Sequence, residues 1–253
     1  MQNNIKKSPA VLLCGHGSRS SEGTAEFHSL VMQIQRAMPG QRVAAAFLEL
    51  QSPTITEGLQ DIYDQGVREI ILQPVTLYNG THTRHDIPEI MTEFRKKNPD
   101  LRLHYGSFLG LTPSIIEAAT SAVKSVMPDT APEECKLLLV GRGSKDRLIA
   151  DQTINLCRKL HDRLDMGDSR YCYASGGSPL LKTALRQAAE SHYNHVIILP
   201  FLLFSGRLLS DIYGELDLAA EKYPDFTFYK APPLGRKNDI VEAIMQRIIA
   251  ARP

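Results

Sequence analysis

Short apolar runs alternate with longer amphipathic stretches along the whole chain. In the first half the runs fall at Ala10–Cys14, Arg42–Leu48, Glu69–Pro74 and Leu101–Tyr105. Between and after them, apolar residues recur at helical spacing over about 23–38, 54–65, 87–97 and 113–126. A short apolar run bounded by turn residues reads as a buried strand, and a longer stretch with a 3.6-residue period reads as a helix with one face on a core. The second half copies the order, with strands near 136–140, 171–174, 195–200 and 226–230. Strands alternating with helices of this length imply βαβ units and a parallel sheet. The expected fold class is α/β, with two homologous lobes that each hold a four-stranded parallel sheet flanked by helices, and an active site in the cleft between the lobes.

The two halves are copies of one another. CGHGSR at 14–19 returns as VGRGSK at 140–145, an offset of 126 residues. The same offset joins Ser52-Pro53 to Ser178-Pro179, Leu59 to Leu185, and EIILQPVTLYNG (69–80) to HVIILPFLLFSG (195–206). One residue then drops out. Asp86-Ile87 matches Asp211-Ile212 at 125, as do Pro99-Asp100 with Pro224-Asp225 and Leu109-Gly110 with Leu234-Gly235. So many anchors in one register mark a duplication of about 9–127 into 135–253. The lobes are therefore drawn at 1–127 and 135–253, joined by the acidic, proline-containing MPDTAPEE.

Composition narrows the function classes. With 253 residues, 43% hydrophobic and 23% charged, and a formal net charge of +1, the chain is an ordinary globular protein. It lacks the basic excess of a nucleic-acid binder. No run approaches the ~20 apolar residues of a membrane span, and the apolar run near the N-terminus is too short for a signal-peptide core. The four cysteines, Cys14, Cys135, Cys157 and Cys172, have no CxxC spacing, so a zinc knuckle or iron–sulfur site is not indicated. Cytoplasmic location is expected.

In open parallel sheets, ligands bind beyond the carboxyl ends of the strands. The first half puts three metal-capable side chains there: His16 after strand one, Glu49 at the end of strand two, and His82 after strand three. Each also has a plain structural reading: His16 in a tight Gly-His-Gly turn, His82 as a solvated loop residue, Glu49 as a solvated strand end. Asp86, ahead of Ile-Pro-Glu, reads as a helix N-cap with Glu89 in the capping-box position, and Asp211 is read the same way. The second half has Arg142 at the position of His16, Arg207 at that of His82, and Ser175 at that of Glu49. Arginine stays protonated and neither ligates a metal nor accepts a proton, but it grips carboxylates in a bidentate fork. One half thus keeps a set able to hold a metal and move protons. The other exchanges it for fixed positive charge, with Arg19, Arg84 and Lys145 adding cations in the same loops. Two histidines and a carboxylate form an open shell that can surrender its ion. A flat polyanionic macrocycle that trades two pyrrole protons for a divalent metal fits both halves. Two other readings stay open: a phosphatase or hydrolase using His16 at an anion-binding turn, and a non-catalytic carrier of metal or tetrapyrrole.

With VLLCGHGSR (11–19), AFLELQSPTI (46–55), GTHTRHDIPE (80–89) and VGRGSKD (140–146) in this order, the chain resembles the sirohydrochlorin chelatases in their long, internally duplicated form. That family contains sirohydrochlorin cobaltochelatase and sirohydrochlorin ferrochelatase. The resemblance implies a type II chelatase fold and ATP-independent insertion of Co²⁺ or Fe²⁺ into sirohydrochlorin, in cobalamin or siroheme biosynthesis. Ni²⁺ is a possible substitute in vitro. It implies catalytic and metal-ligating roles for His16, Glu49 and His82, and substrate carboxylates held by Arg142, Arg207, Ser18 and Arg19. It implies no cofactor beyond the substrate metal, no nucleic acid or membrane partner, and a monomer with internal pseudo-two-fold symmetry.

Overall fold

The structure is a computed structural model that describes residues 8–236 and 238–252. The first four strands, β1 (Ala10–Gly15), β2 (Val43–Phe47), β3 (Glu69–Pro74) and β4 (Arg102–Tyr105), form one parallel sheet in the order β2-β1-β3-β4. The next four, β5 (Cys135–Gly141), β6 (Asp168–Tyr173), β7 (His195–Pro200) and β8 (Thr227–Lys230), form a second in the order β6-β5-β7-β8. Two four-stranded parallel sheets flanked by helices are the predicted architecture.

The helices are α1 (Ser21–Ala37), α2 (Ile55–Asp64), α3 (Ile87–Lys97), α4 (Pro113–Lys124), α5 (Arg147–Leu164), α6 (Leu181–Ala189), α7 (Arg207–Lys222) and α8 (Asn238–Ala250). Their starts have local causes. The Ser20 hydroxyl accepts from the Gly23 N–H at the head of α1, and Thr54 and Glu57 form a full capping box on α2, each satisfying amides that a helix N-terminus leaves unpaired. On one side of the first sheet Leu12, Ile70 and Leu72 pack with Ile55, Leu59 and Ile62 of α2 and with Ile87, Met91 and Phe94 of α3. The second sheet repeats this with Leu138, Val140 and Ile198 against Leu181, Leu185, Ile212 and Leu216. Fully burying each such side chain contributes about 1.5–3 kcal/mol.

The duplication extends to backbone detail. Ser52–Pro53 and Ser178–Pro179 are both cis peptides. Phe47 N–H donates to Pro53 C=O at 2.9 Å, and Tyr173 N–H to Pro179 C=O at 3.0 Å.

The compact units do not coincide with the sequence halves drawn at 1–127 and 135–253. One unit takes in the chain up to Leu109 and again from Val241, and the other runs from Gly110 to Ile240. Helix α4, the last of the first half, packs on α5 and β7, and Glu117 on it pairs with Arg163 of α5. In return, Arg247 of α8 donates to Leu109 C=O at 2.9 Å and Arg252 to Gln41 Oε1 at 2.8 Å. Each half gives its last helix to the other unit. A repeat boundary follows sequence similarity, whereas a compact unit follows which sheet a helix covers.

Candidate functional site

In the first sheet the strand order turns about β1 and β3: from β1 the chain goes outward to β2 on one side, then returns to add β3 and β4 on the other. Ligands in open α/β sheets sit beyond the strand carboxyl ends at such a switch point. His16 directly follows β1, and His82 lies in the segment that follows β3.

His16 is set by a rigid turn. Its C=O accepts the Glu49 N–H at 3.0 Å, and Gly15 C=O accepts the Leu48 N–H at 2.9 Å. This extends the β1–β2 pairing past the strands and brings position 49 beside position 16. Gly17 has φ +98°, and a Cβ there would lie 1.9 Å from the Glu49 carbonyl oxygen, so only glycine fits. The second unit repeats the arrangement with Gly143 (φ +96°), whose Cβ would meet Ser175 O at 1.5 Å, and with Ser175 N–H donating to Arg142 C=O at 3.1 Å. The scaffold is common to both copies, and the side chains on it differ.

The sequence-predicted trio converges. His16 Nδ1 lies 3.3 Å from Glu49 Oε1. The His16 and His82 rings meet edge-on, with centroids 4.8 Å apart and planes at 80°. His82 Nδ1 lies 2.6 Å from Asp86 Oδ2. All four side chains are 31–50% exposed, reachable from solvent yet shielded on one side. Among the described residues no three His, Cys, Asp or Glu donors surround one point as a ready-made ion cage. Each imidazole is instead backed by its own carboxylate on the Nδ1 side.

Asp86 differs from the N-cap expected of it. Asp86 sits at φ −63°, ψ −47° with no side-chain capping bond, inside a helical stretch that begins at Thr81 and continues into α3. Residues His82–Asp86 form a π-helical turn, with the Ile87 N–H reaching back five residues to His82 C=O. The carboxylate therefore meets His82 and not a backbone amide. Asp211 is no cap either: it lies in the first turns of α7, 3.7 Å from Arg207 Nε. The available signal was the i, i+4 spacing of His82 and Asp86, repeated by Arg207 and Asp211.

Ser18 Oγ accepts the Ser20 N–H at 3.0 Å and holds the turn after β1, where Arg19 is exposed. Arg142 and Arg207 follow β5 and β7, the corresponding switch point of the second sheet, and both are exposed. A cavity of about 760 Å³ lies elsewhere in the second unit, lined by Lys136, Cys157, Arg158, His161, Asp168 and Arg170 among others. It holds none of the predicted site residues. The Cys14 and Cys172 thiols are pushed up to about 12 by burial, which makes them core residues and not ligands. No helix is long and apolar enough to cross a membrane, among the described residues.

A family model described as CbiX matches residues 10–126 and, a second time, 136–251. The chain is 31% identical over 208 residues to a sirohydrochlorin ferrochelatase of Priestia megaterium, covering 82% of this chain and 78% of that one. It is 25% identical over 203 residues to a sirohydrochlorin cobaltochelatase of the same organism, covering 79% of this chain and 66% of that one. Among solved structures, SirB from Bacillus subtilis with Fe³⁺ superposes with a TM-score of 0.86 at 25% identity, over 96% of this chain and 95% of that one.

Proposed function

Since the chain belongs to the CbiX family, we propose that it is a sirohydrochlorin chelatase, a lyase-class enzyme that inserts Fe²⁺ or Co²⁺ into sirohydrochlorin without ATP. The observation that carries this reading is the edge-on His16–His82 pair at the strand switch point, with Glu49 against one ring and Asp86 against the other. Metal insertion needs a site that takes an ion from water, offers it to a ring of four nitrogens, and removes two protons from that ring. Imidazole is a borderline donor that suits iron and cobalt alike, and two of them leave most coordination positions for the incoming macrocycle. A closed cage would keep its ion. Here the metal is substrate, and an incomplete shell is what lets it leave.

His16 and His82 hold the ion, and Glu49, half-exposed beside His16, takes up protons displaced from the pyrroles. Arg142 and Arg207 supply fixed charge for the macrocycle carboxylates, since a guanidinium matches a carboxylate with two parallel hydrogen bonds. Arg19 adds a cation on the His16 turn, and Ser18 holds that turn in shape. A chain that carries both copies works as a monomer in the cytoplasm.

The test is anaerobic metallation followed by absorption spectroscopy. Purified protein mixed with excess sirohydrochlorin and Fe²⁺ or Co²⁺ should give multiple turnovers, faster than the uncatalysed reaction. A spectral change that stops at one equivalent would make the protein a carrier. No change with either metal would remove the reading.

A further inference from the structure

We propose that Asp86 is a positioning residue that fixes the metal-facing nitrogen of His82, and that the one residue by which the first half exceeds the second is what builds the turn holding this pair. The inference rests on the metal-handling role given above to His82.

The two copies keep an offset of 126 up to Gly80 and Gly206, and of 125 from Asp86 and Asp211 onward. The first half therefore has one extra residue between these points, where the structure has its π-helical turn, His82–Asp86. The second half passes from Gly206 directly into the regular helix α7. An extra residue inside a helix is accommodated by widening one turn to i→i+5 bonding, a distortion found mostly as single turns and often at functional sites.

Both flanks of the widened turn are anchored. Downstream, Ile87, Met91 and Phe94 are buried and fix the rotation of α3. On the other side, the Thr83 hydroxyl lies 2.9 Å from Gly80 C=O and 3.0 Å from Asn79 Oδ1, sharing its one proton between these upstream acceptors, while the Tyr105 hydroxyl donates to Thr83 C=O at 2.8 Å. Removing one residue from a helix turns everything on one side by about 100° and draws it in by about 1.5 Å. With α3 held by its core, that rotation would carry His82 away from His16. In the second copy, without the extra residue, α7 starts at the residue directly after Gly206, and Arg207 there lies 3.7 Å from Asp211 with its side chain 92% exposed.

Within the turn, the Asp86 carboxylate is an acceptor 2.6 Å from His82 Nδ1, which assigns the ring proton to Nδ1 and leaves the lone pair on Nε2. Carboxylates behind metal-binding imidazoles act in this way, and their loss typically weakens metal binding about 10–100-fold.

Nitrogen NMR on the metal-free protein reads the tautomer directly. Wild type should show His82 protonated at Nδ1, and Asp86→Ala should move the proton to Nε2. The same variant should bind Co²⁺ about 10–100-fold more weakly with unchanged circular dichroism, and Asp86→Glu should recover part of the affinity. Deletion of the exposed His85, which restores the second half's length, should abolish Co²⁺ binding while keeping secondary structure. An unchanged His82 tautomer in Asp86→Ala would overturn the positioning role, and wild-type Co²⁺ affinity in the deletion would overturn the role of the extra residue. If the deletion variant fails to fold, inserting one residue after Gly206 gives a second test: His82 chemistry should stay unchanged while a widened turn forms ahead of Asp211, and its absence would count against the insertion. Failure of wild type to bind Co²⁺ would strike the proposed function, while the tautomer, read without metal, still decides whether Asp86 orients the His82 ring.

Discussion

Replacing Gly17 by alanine tests how far the site depends on the turn after β1. At φ +98° the backbone is outside the region an L-residue tolerates, at a cost of roughly 1–2 kcal/mol. The new Cβ would also fall 1.9 Å from Glu49 O, where contacts below 3.0 Å are not sustained, so that carbonyl must retreat by about 1 Å. The retreat breaks the 3.0 Å bond from Glu49 N–H to His16 C=O, worth about 1 kcal/mol. A total of about 2–3 kcal/mol lowers Tm by about 4–12 °C for a chain of this size. Misplacing a reacting group by about 1 Å costs about 100-fold in rate, so turnover should fall by about that factor. The matched control is Gly143→Ala, which meets the same clash in the second unit, 1.5 Å from Ser175 O, with no imidazole beside it. It should lose comparable stability while keeping wild-type Co²⁺ affinity. Wild-type turnover in Gly17→Ala, or equal loss of Co²⁺ affinity in both variants, would mean that this turn does not position the site.

Arg142→Ala should raise the KM for sirohydrochlorin at least several-fold while leaving the metal KM unchanged; equal effects on both would take Arg142 off the substrate surface. Burial holds the Cys14 and Cys172 thiols at about 12, against an ordinary value of 9.0. The protonated form is thus favoured by folding, and its contribution is complete below pH 9 and declines above it. Denaturant titrations at pH 8 and pH 10 should show stability lower at pH 10 by on the order of 1 kcal/mol per thiol, and a flat profile would contradict their burial. Leu50, 53% exposed beside Glu49, sits at φ +65°, where the second copy has Gly176 at φ +61°. Leu50→Gly should leave Tm unchanged or raise it, since relief of about 1–2 kcal/mol of strain offsets the added chain entropy; a clear drop in Tm would mean that Leu50 is not strained.

Most of the fold was written in local pattern. The strands at Glu69–Pro74 and His195–Pro200 match the apolar runs residue for residue, because a buried parallel strand must be apolar on both faces. The convergence of His16, Glu49 and His82 was legible once the strand ends were placed, because topology and not spacing brings them together. Two features were not. The amphipathic pattern of α4 shows that one face is buried, but not which sheet buries it, so its place with α5 and β7 is a tertiary fact. Asp86 stands before Ile-Pro-Glu as a cap would, yet the helix begins earlier, at Thr81. The register slip between Gly80 and Asp86 was visible in the sequence, but a one-residue gap can equally be absorbed in a loop.

On the function proposed above, two imidazoles of the first unit hold the metal on its way to the macrocycle. X-ray absorption at the cobalt edge of the Co²⁺-loaded protein, without sirohydrochlorin, counts those imidazoles around the ion. Wild type should show two imidazole nitrogens around the ion, and either His16→Ala or His82→Ala should show one. An imidazole count that neither substitution changes would place the ion elsewhere.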